Sequence, residues 1–244
     1  MQTQDLSGKI ALVTGASSGI GEAAARALAA EGVHVVLAAR SADRITALAA
    51  ELGSTARAVP TDVGDHAQVT RLCQRIGDEF GGLDLLFNNA GVGYHNAFAD
   101  SRPEEWRKTI DANLYGVLHC THAALPLLRN RPGAMICSVA SVGGRYGIEG
   151  WAVYNATKFA VVGFHDALRK ELGPEGIRVS LIEPGAVYTQ WGYNVAPEAM
   201  QNRRDSLEAL QAADIAQALV FAFAQPARIN VQECLIMPTR QTYP

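Results

Sequence analysis

Hydrophobic and polar positions follow a regular alternation along the 244-residue chain. Short apolar, β-branched runs recur at Ile10 to Val13, Val33 to Ala39, Ala56 to Pro60, Leu83 to Phe87, Ala134 to Val139, Ile177 to Ile182 and Glu233 to Met237. Their length and near-continuous apolarity predict strands buried on both faces. Between them lie Ala- and Leu-rich segments with charges at helical spacing, including Glu22 to Glu31, Ala42 to Leu52, Ala67 to Phe80 and Glu104 to Arg129. Seven strands alternating with helices predict right-handed βαβ units. The expected fold is therefore α/β, a doubly wound seven-stranded parallel sheet with helices on both faces. Asp65 and Ser101 stand as N-caps, with Pro103 in a first turn; Gly53, Gly81 and Gly173 stand where helices should stop. No linker, low-complexity tract or internal repeat divides the chain, so residues 1–244 read as a single domain.

Composition narrows the partners. The chain is 48% hydrophobic and 18% charged, with 21 Lys and Arg against 24 Asp and Glu. A formal charge of −3 and a pI near 6.1 leave no basic footprint for nucleic acid or an anionic membrane. The densest apolar segments, such as Ala218 to Ala224, fall short of the roughly 18 to 20 residues that cross a bilayer. The polar start, Met1 to Lys9, does not read as a secretory signal. Cys73, Cys120, Cys137 and Cys234 lack metal-type spacing and read as reduced, buried thiols of a cytoplasmic protein. His119 and His122 flank Cys120 without a third ligand, so no metal is expected. The sequon Asn155-Ala156-Thr157 lies within a helical stretch and is a coincidence.

Candidate chemistry begins after the first strand. Thr14-Gly15-Ala16-Ser17-Ser18-Gly19-Ile20-Gly21 opens the first helix, where a dinucleotide fold places a pyrophosphate. Glycines let the backbone approach an anion, and the N–H groups at the helix start favour it. The spacing is G-x-x-x-G-x-G, not the common G-x-G-x-x-G. Further along, Tyr154 and Lys158 stand four apart, which puts phenol and ammonium on one helical face.

The pattern T-G-x-x-x-G-I-G, followed by Asn88-Asn89-Ala90-Gly91 after the fourth strand, resembles the short-chain dehydrogenase/reductase family over nearly the whole chain. The resemblance implies a Rossmann-type sheet and a nicotinamide cofactor. It places Gly15, Ser17, Ser18, Gly19, Ile20 and Gly21 at the diphosphate, Asp62 and Val63 at adenine, and Asn89, Ala90 and Gly91 beside the adenosine ribose. Pro184, Gly185, Val187 and Thr189 match P-G-x-V-x-T, which lies against the nicotinamide in the family. Tyr154-Asn155-Ala156-Thr157-Lys158 matches Y-x-x-x-K, making Tyr154 the catalytic acid/base and Lys158 its partner and a ribose ligand. Ser141 matches the serine that holds the substrate oxygen. Asn113, in Asp111-Ala112-Asn113-Leu114, matches a helix asparagine that holds a water near the lysine; a kink-satisfying amide is the alternative. A free phenol titrates near 10, so lowering Tyr154 to about 7 would take on the order of 4 kcal/mol, with Lys158 supplying a part.

Two features bear on cofactor and substrate. Ala39 occupies the position where an NAD-specific chain carries a carboxylate, and Arg40 follows it. A guanidinium there can grip a 2′-phosphate, so NADP(H) is expected. Ser18 stands where the family's other NADP mark, a cation inside the glycine turn, would be. Substrate-pocket candidates are Tyr94, His95, Ser141, Gly143, Arg145, Tyr146, Trp151, Tyr188 and Trp191, with Arg145 as a carboxylate anchor and a lid over about residues 186–211. The C-terminal run Met237-Pro238-Thr239-Arg240-Gln241 resembles a branch containing hydroxy-acid dehydrogenases and a clavulanate-aldehyde reductase. The expected protein is a cytoplasmic NADP(H)-linked oxidoreductase of a small to medium alcohol or carbonyl compound, assembled as a homotetramer or dimer. The alternatives on the same fold are a non-catalytic NADP(H)-binding sensor or structural protein, and an epimerase or dehydratase.

Overall fold

The seven apolar runs form the strands of one parallel sheet in a computed structural model of the chain, which describes residues 3–242. In chain order the elements are β1 (Ile10–Thr14), α1 (Gly19–Ala30), β2 (His34–Ala39), α2 (Ala42–Leu52), β3 (Ala56–Pro60), α3 (His66–Phe80), β4 (Leu85–Asn88), α4 (Pro103–Ile110), α5 (Gly116–Arg129), β5 (Met135–Val139), α6 (Ala152–Leu172) and β6 (Arg178–Pro184). The short strands β7 (Val187–Tyr188) and β8 (Leu210–Gln211) flank α7 (Pro197–Leu207), and α8 (Ala212–Phe223) and β9 (Glu233–Ile236) complete the chain.

The sheet order is β3-β2-β1-β4-β5-β6-β9, every pair parallel. The chain winds outward from β1 to β3, then returns to place β4 on the other side of β1. That reversal opens a crevice beyond the carboxyl ends of β1 and β4, the position at which such sheets bind ligands. Successive side chains of a strand face opposite layers. Ala11 and Val13 join Leu28, Ile45, Leu219 and Phe223 on the layer of α1, α2 and α8. Ile10 and Leu12 join Leu72, Ile76, Leu128 and Leu172 on the layer of α3, α5 and α6. Both faces are dry, which is why the strands read as unbroken apolar runs.

Three local expectations are corrected. The segment Glu104 to Arg129 is not one helix: a π turn over Asp111–Tyr115 separates α4 from α5. A Cβ on Gly116 would lie 2.6 Å from Val63 Cγ2, so the glycine allows the helix to pass close to the loop after β3. Asp65 caps α3, accepting from Ala67 and Gln68 N–H groups at 2.9 and 3.1 Å. Ser101 does not cap α4; Arg102 is the capping residue, and Ser101 Oγ accepts from Trp106 Nε1 at 2.8 Å. Gly173 is helical, and the left-handed stop comes three residues later at Gly176, with φ 77°. The β7·β8 ladder, invisible as a strand pattern because each member has two residues, pairs Val187 with Leu210 and closes the base of the segment around α7.

Candidate active site

A cleft of about 500 Å³ lies over the carboxyl ends of the central strands. One end is made by backbone. Gly15 and Gly19 take positive φ, 64° and 57°. A Cβ on Gly15 would stand 2.8 Å from Ala90 Cα, and one on Gly21 would overlap the Gly15 carbonyl and approach Asn89 Nδ2 to 2.5 Å. Asn89 Nδ2 donates to the Thr14 and Gly15 carbonyls, while Thr14 Oγ1 accepts from the Asn89 and Ala90 N–H groups at 3.0 and 3.1 Å. The glycine turn and the Asn88–Gly91 turn are thus one braced structure. Asn88, behind it, donates to Thr121 Oγ1 at 3.3 Å. Ser18, the N-cap of α1, makes no side-chain cap bond. The first N–H groups of that helix therefore have no side-chain acceptor and border the cleft, as a diphosphate requires. A dinucleotide fits this cradle.

Ser17, Ser18, Gly19 and Ile20 line the cleft, as do Asp62, Val63, Asn89, Ala90, Gly91, Pro184, Gly185, Val187 and Thr189. Gly21 lies just behind. Asp62 Oδ1 accepts from Gly64 N at 3.0 Å, which shapes the loop beside Val63. Arg40 is exposed at the end of β2, and Arg44, one turn into α2, lines the cleft with it. No motif marked that second arginine, since Arg40 lies before α2 begins and the two share no helical face. Gln241, the last residue of the C-terminal run, also lines the cleft; its Oε1 accepts from Ala186 N at 2.8 Å and supports the Pro184–Val187 loop.

At the other end α6 presents Tyr154 and Lys158. Lys158 is buried, and its ammonium donates to the Val139 carbonyl at 2.6 Å, 5.6 Å from the Tyr154 ring centre. Desolvation brings its pKa down to about 8. Tyr154 moves the other way: desolvation pushes the phenol up to about 12, against a lowering hydrogen bond with Ser141. In the protein alone, burial outweighs the Ser141 hydrogen bond, and the phenol stands above its ordinary value. Ser141 Oγ also accepts from Gly143 N at 3.0 Å.

Asn113 lies in the π turn and is buried. Its Oδ1 accepts from Val92 N and its Nδ2 donates to Val92 O, both at 2.8 Å, and to Thr157 Oγ1 at 3.1 Å. The amide ties the loop after β4 to α6.

The pocket candidates divide sharply. Trp151 and Trp191 line the cleft and stack at 5.1 Å, and the Trp191 ring lies 4.7 Å from that of Tyr154. Ile148, Tyr193 and Met200 join them. Six others stand outside the cleft lining. Tyr94 stacks behind Tyr193 at 5.0 Å, and His95 packs edge-on against Trp151. Gly143 packs between Asn155 and Tyr154. Tyr146 is on the outer surface, 55% exposed. The Tyr188 hydroxyl is engaged by Asp205. Arg145 makes a bidentate pair with buried Glu183, at 2.8 Å on both arms, and also meets Glu233. It staples β6 to β9 and is not a substrate anchor. The segment around α7 is tied down by Tyr193 N to Gly93 O, His95 N to Tyr193 O, and Asn194 Nδ2 to Asn96 and Glu105.

Away from the cleft, His119 Nδ1 contacts the Val63 carbonyl at 3.1 Å and the ring packs against Tyr115 and His66. Among the described residues no helix is long and apolar enough to cross a membrane.

These features agree with the comparisons to known proteins. The short chain dehydrogenase family profile matches residues 9–199. An uncharacterized oxidoreductase of Staphylococcus aureus is 38% identical over 234 residues, covering 96% of this chain and 98% of its own. Among solved structures, the closed form of a serine dehydrogenase complexed with NADP+ superposes with a TM-score of 0.92 at 30% identity, covering 96% of each chain. A 3-ketoacyl-(acyl-carrier-protein) reductase from Brucella melitensis complexed with NADH gives 0.86 at 32% identity, covering 96% of this chain and 99% of that one. The chain belongs to the short-chain dehydrogenase/reductase family: it is an oxidoreductase of a family that uses a nicotinamide cofactor and acts on small molecules.

Proposed function

We propose that this oxidoreductase exchanges a hydride between NADP(H) and a small to medium alcohol or carbonyl compound, with Tyr154 as general acid/base. The observation that carries the reading is the convergence of Tyr154, Ser141 and Lys158 at one end of a cleft whose other end carries the glycine turn, Arg40 and Arg44. The nicotinamide supplies or accepts the hydride when bound. The α1 N-terminus would hold its diphosphate, Asp62 and Val63 would border adenine, and Lys158 would hold the nicotinamide ribose. Ser141 fixes the substrate oxygen beside Tyr154. A phenol held near 12 is protonated at neutral pH, so the resting site is ready to donate a proton to a forming alkoxide. Reduction should therefore hold its rate through neutrality and fall only as Tyr154 deprotonates. Oxidation, which needs the phenolate, should rise with pH.

Arg40 and Arg44, with no carboxylate at Ala39, support NADP(H) over NAD(H). Trp151, Trp191 and Met200 make an apolar substrate end, closed by residues 186–211 acting as a lid on a single catalytic domain. Four unpaired thiols, three of them buried, support a cytoplasmic setting. Exposed Tyr115 in the π turn, Phe159 on α6, Phe221 on α8 and Leu235 on the edge strand β9 support a homo-oligomer.

The test is a fluorescence titration with NADPH and NADH, followed by a panel of ketones, aldehydes and keto acids. NADPH-preferring binding with turnover is expected. Tyr154→Phe should lower turnover roughly 10³-fold with cofactor affinity kept; retained turnover would reject the assignment.

A further inference from the structure

The glycine turn, Gly15 to Gly21, contains no cation of its own. Two arginines of α7 line the same cleft. Met200, Arg203 and Arg204 share one face of α7, by i, i+3 and i+4 spacing, and all three line the cleft. The face changes character along its length. Met200 points to the substrate end, where a Cβ placed on Gly192 would meet Met200 Cε and Trp151 Cη2, each at 3.2 Å. One turn later, Arg204 Nη2 donates to the Thr189 carbonyl. Thr189 in turn faces Gly19, its Cγ2 lying 3.1 Å from where a Gly19 Cβ would be. Arg204 is thus one residue's width from the start of α1, and Arg203, exposed beside it, borders the same opening. The Arg204 Nε–H is buried without a partner among the described residues. A buried guanidinium N–H that finds no acceptor is costly, and an anion is its natural complement.

We propose that Arg203 and Arg204 are cofactor-binding residues, which clamp the dinucleotide's diphosphate from the lid side, opposite the α1 N-terminus. The proposal rests on the nicotinamide reading above and adds the lid to it. Backbone N–H groups meet the diphosphate from below and guanidinium groups from above. Cofactor loading would then hold α7 down, and Met200 with it, over the substrate end. The position of Arg204, at Thr189 and Gly19 and a full turn from Met200, favours the diphosphate over a substrate carboxylate as its ligand. Arg40 and Arg44 lie at the adenosine end and read a different phosphate.

The experiment measures dissociation constants of NADPH, NADH, ADP-ribose and 2′-AMP for the full chain and for Arg203→Gln, Arg204→Gln, Arg204→Lys and Arg40→Ala. Each glutamine variant should weaken NADPH, NADH and ADP-ribose by a common factor, roughly tenfold, and leave 2′-AMP unchanged. Arg204→Lys should recover part of the loss. Arg40→Ala should instead weaken NADPH and 2′-AMP and spare NADH. Unchanged cofactor affinities in both glutamine variants, with a raised KM for acidic substrates, would overturn the clamp in favour of a substrate anchor. A loss confined to Arg204→Gln, not recovered by lysine, would overturn it in favour of packing against Thr189. If the unmodified chain bound none of the dinucleotides, the nicotinamide reading itself would fall, a result distinct from either.

Discussion

The two ends of the cleft are built by different means. At the glycine-turn end the shape is backbone: glycines at positive φ, a helix start without a side-chain cap, and an asparagine whose amide donates to the successive Thr14 and Gly15 carbonyls where the turn begins. At the substrate end the shape is side chains from separate segments, Ile148 to Trp151, Gln190 to Tyr193 and Met200. Backbone cradles tolerate almost no substitution, because an added Cβ meets main chain. Side-chain walls can be changed without disturbing the frame, which is how one fold serves many substrates. The helix α6 joins the two, bringing Tyr154 and Lys158 to the seam.

The sharpest test of where the substrate end stops is Arg145→Ala. Removing the arginine leaves Glu183, 0% exposed, without its bidentate partner between β6 and β9. A loss of about 3 to 4 kcal/mol is expected by denaturant unfolding, with KM unmoved for every substrate. A rise in KM for acids at unchanged stability would return Arg145 to the pocket.

Next comes the face of α6 behind the seam. His165, two turns past Lys158, is buried with Nδ1 against the Val161 carbonyl at 3.1 Å, and burial brings its pKa down to about 4. The unfolded chain takes up that proton near 6.5 and the folded one only near 4. The unfolded state therefore binds more protons in that window, so stability is full above about 6.5 and falls as pH drops toward 4. The loss is on the order of 3 kcal/mol, and His165→Gln should flatten it in unfolding curves taken across the window. An unchanged slope would assign the acid sensitivity elsewhere.

Gly21→Ala probes the backbone end. Its methyl would overlap the Gly15 carbonyl and press on Asn89, so a loss of about 2 kcal/mol is expected together with weakened cofactor binding. A full-affinity variant would mean that the turn can relax. Trp191→Ala probes the side-chain end: a KM increase of roughly tenfold, about 1.4 kcal/mol, with cofactor affinity kept. If cofactor affinity fell as well, the two ends would not be separable.

The strands were legible because a sheet covered on both faces demands continuous apolar runs, and every run became a strand within a residue or two. The glycine turn was legible for a related reason: its geometry is local, and few residues besides glycine can adopt it. Helix ends were less so. Asp65 capped as its type suggests, but Ser101 was drawn into Trp106 and Phe98, and Asn113 in the Asp111–Tyr115 π turn bonds Val92, a contact that sequence distance hides. The pocket was read least well, because an aromatic residue near a motif can face in, as Trp151 and Trp191 do, or out, as Tyr146 does.

By itself, then, the sequence determined the parallel sheet, the dinucleotide-type turn and the spacing that puts Tyr154 and Lys158 on one face. These are properties of neighbours a few residues apart, set by periodicity and sterics. Tertiary structure alone decided that Arg145 would bind Glu183, that Arg203 and Arg204 would line the same cleft as the glycine turn, and that burial would raise the Tyr154 phenol while lowering the Lys158 ammonium. Those outcomes depend on which groups meet after folding and on how much water is left around them, and neither is encoded in any short stretch of chain.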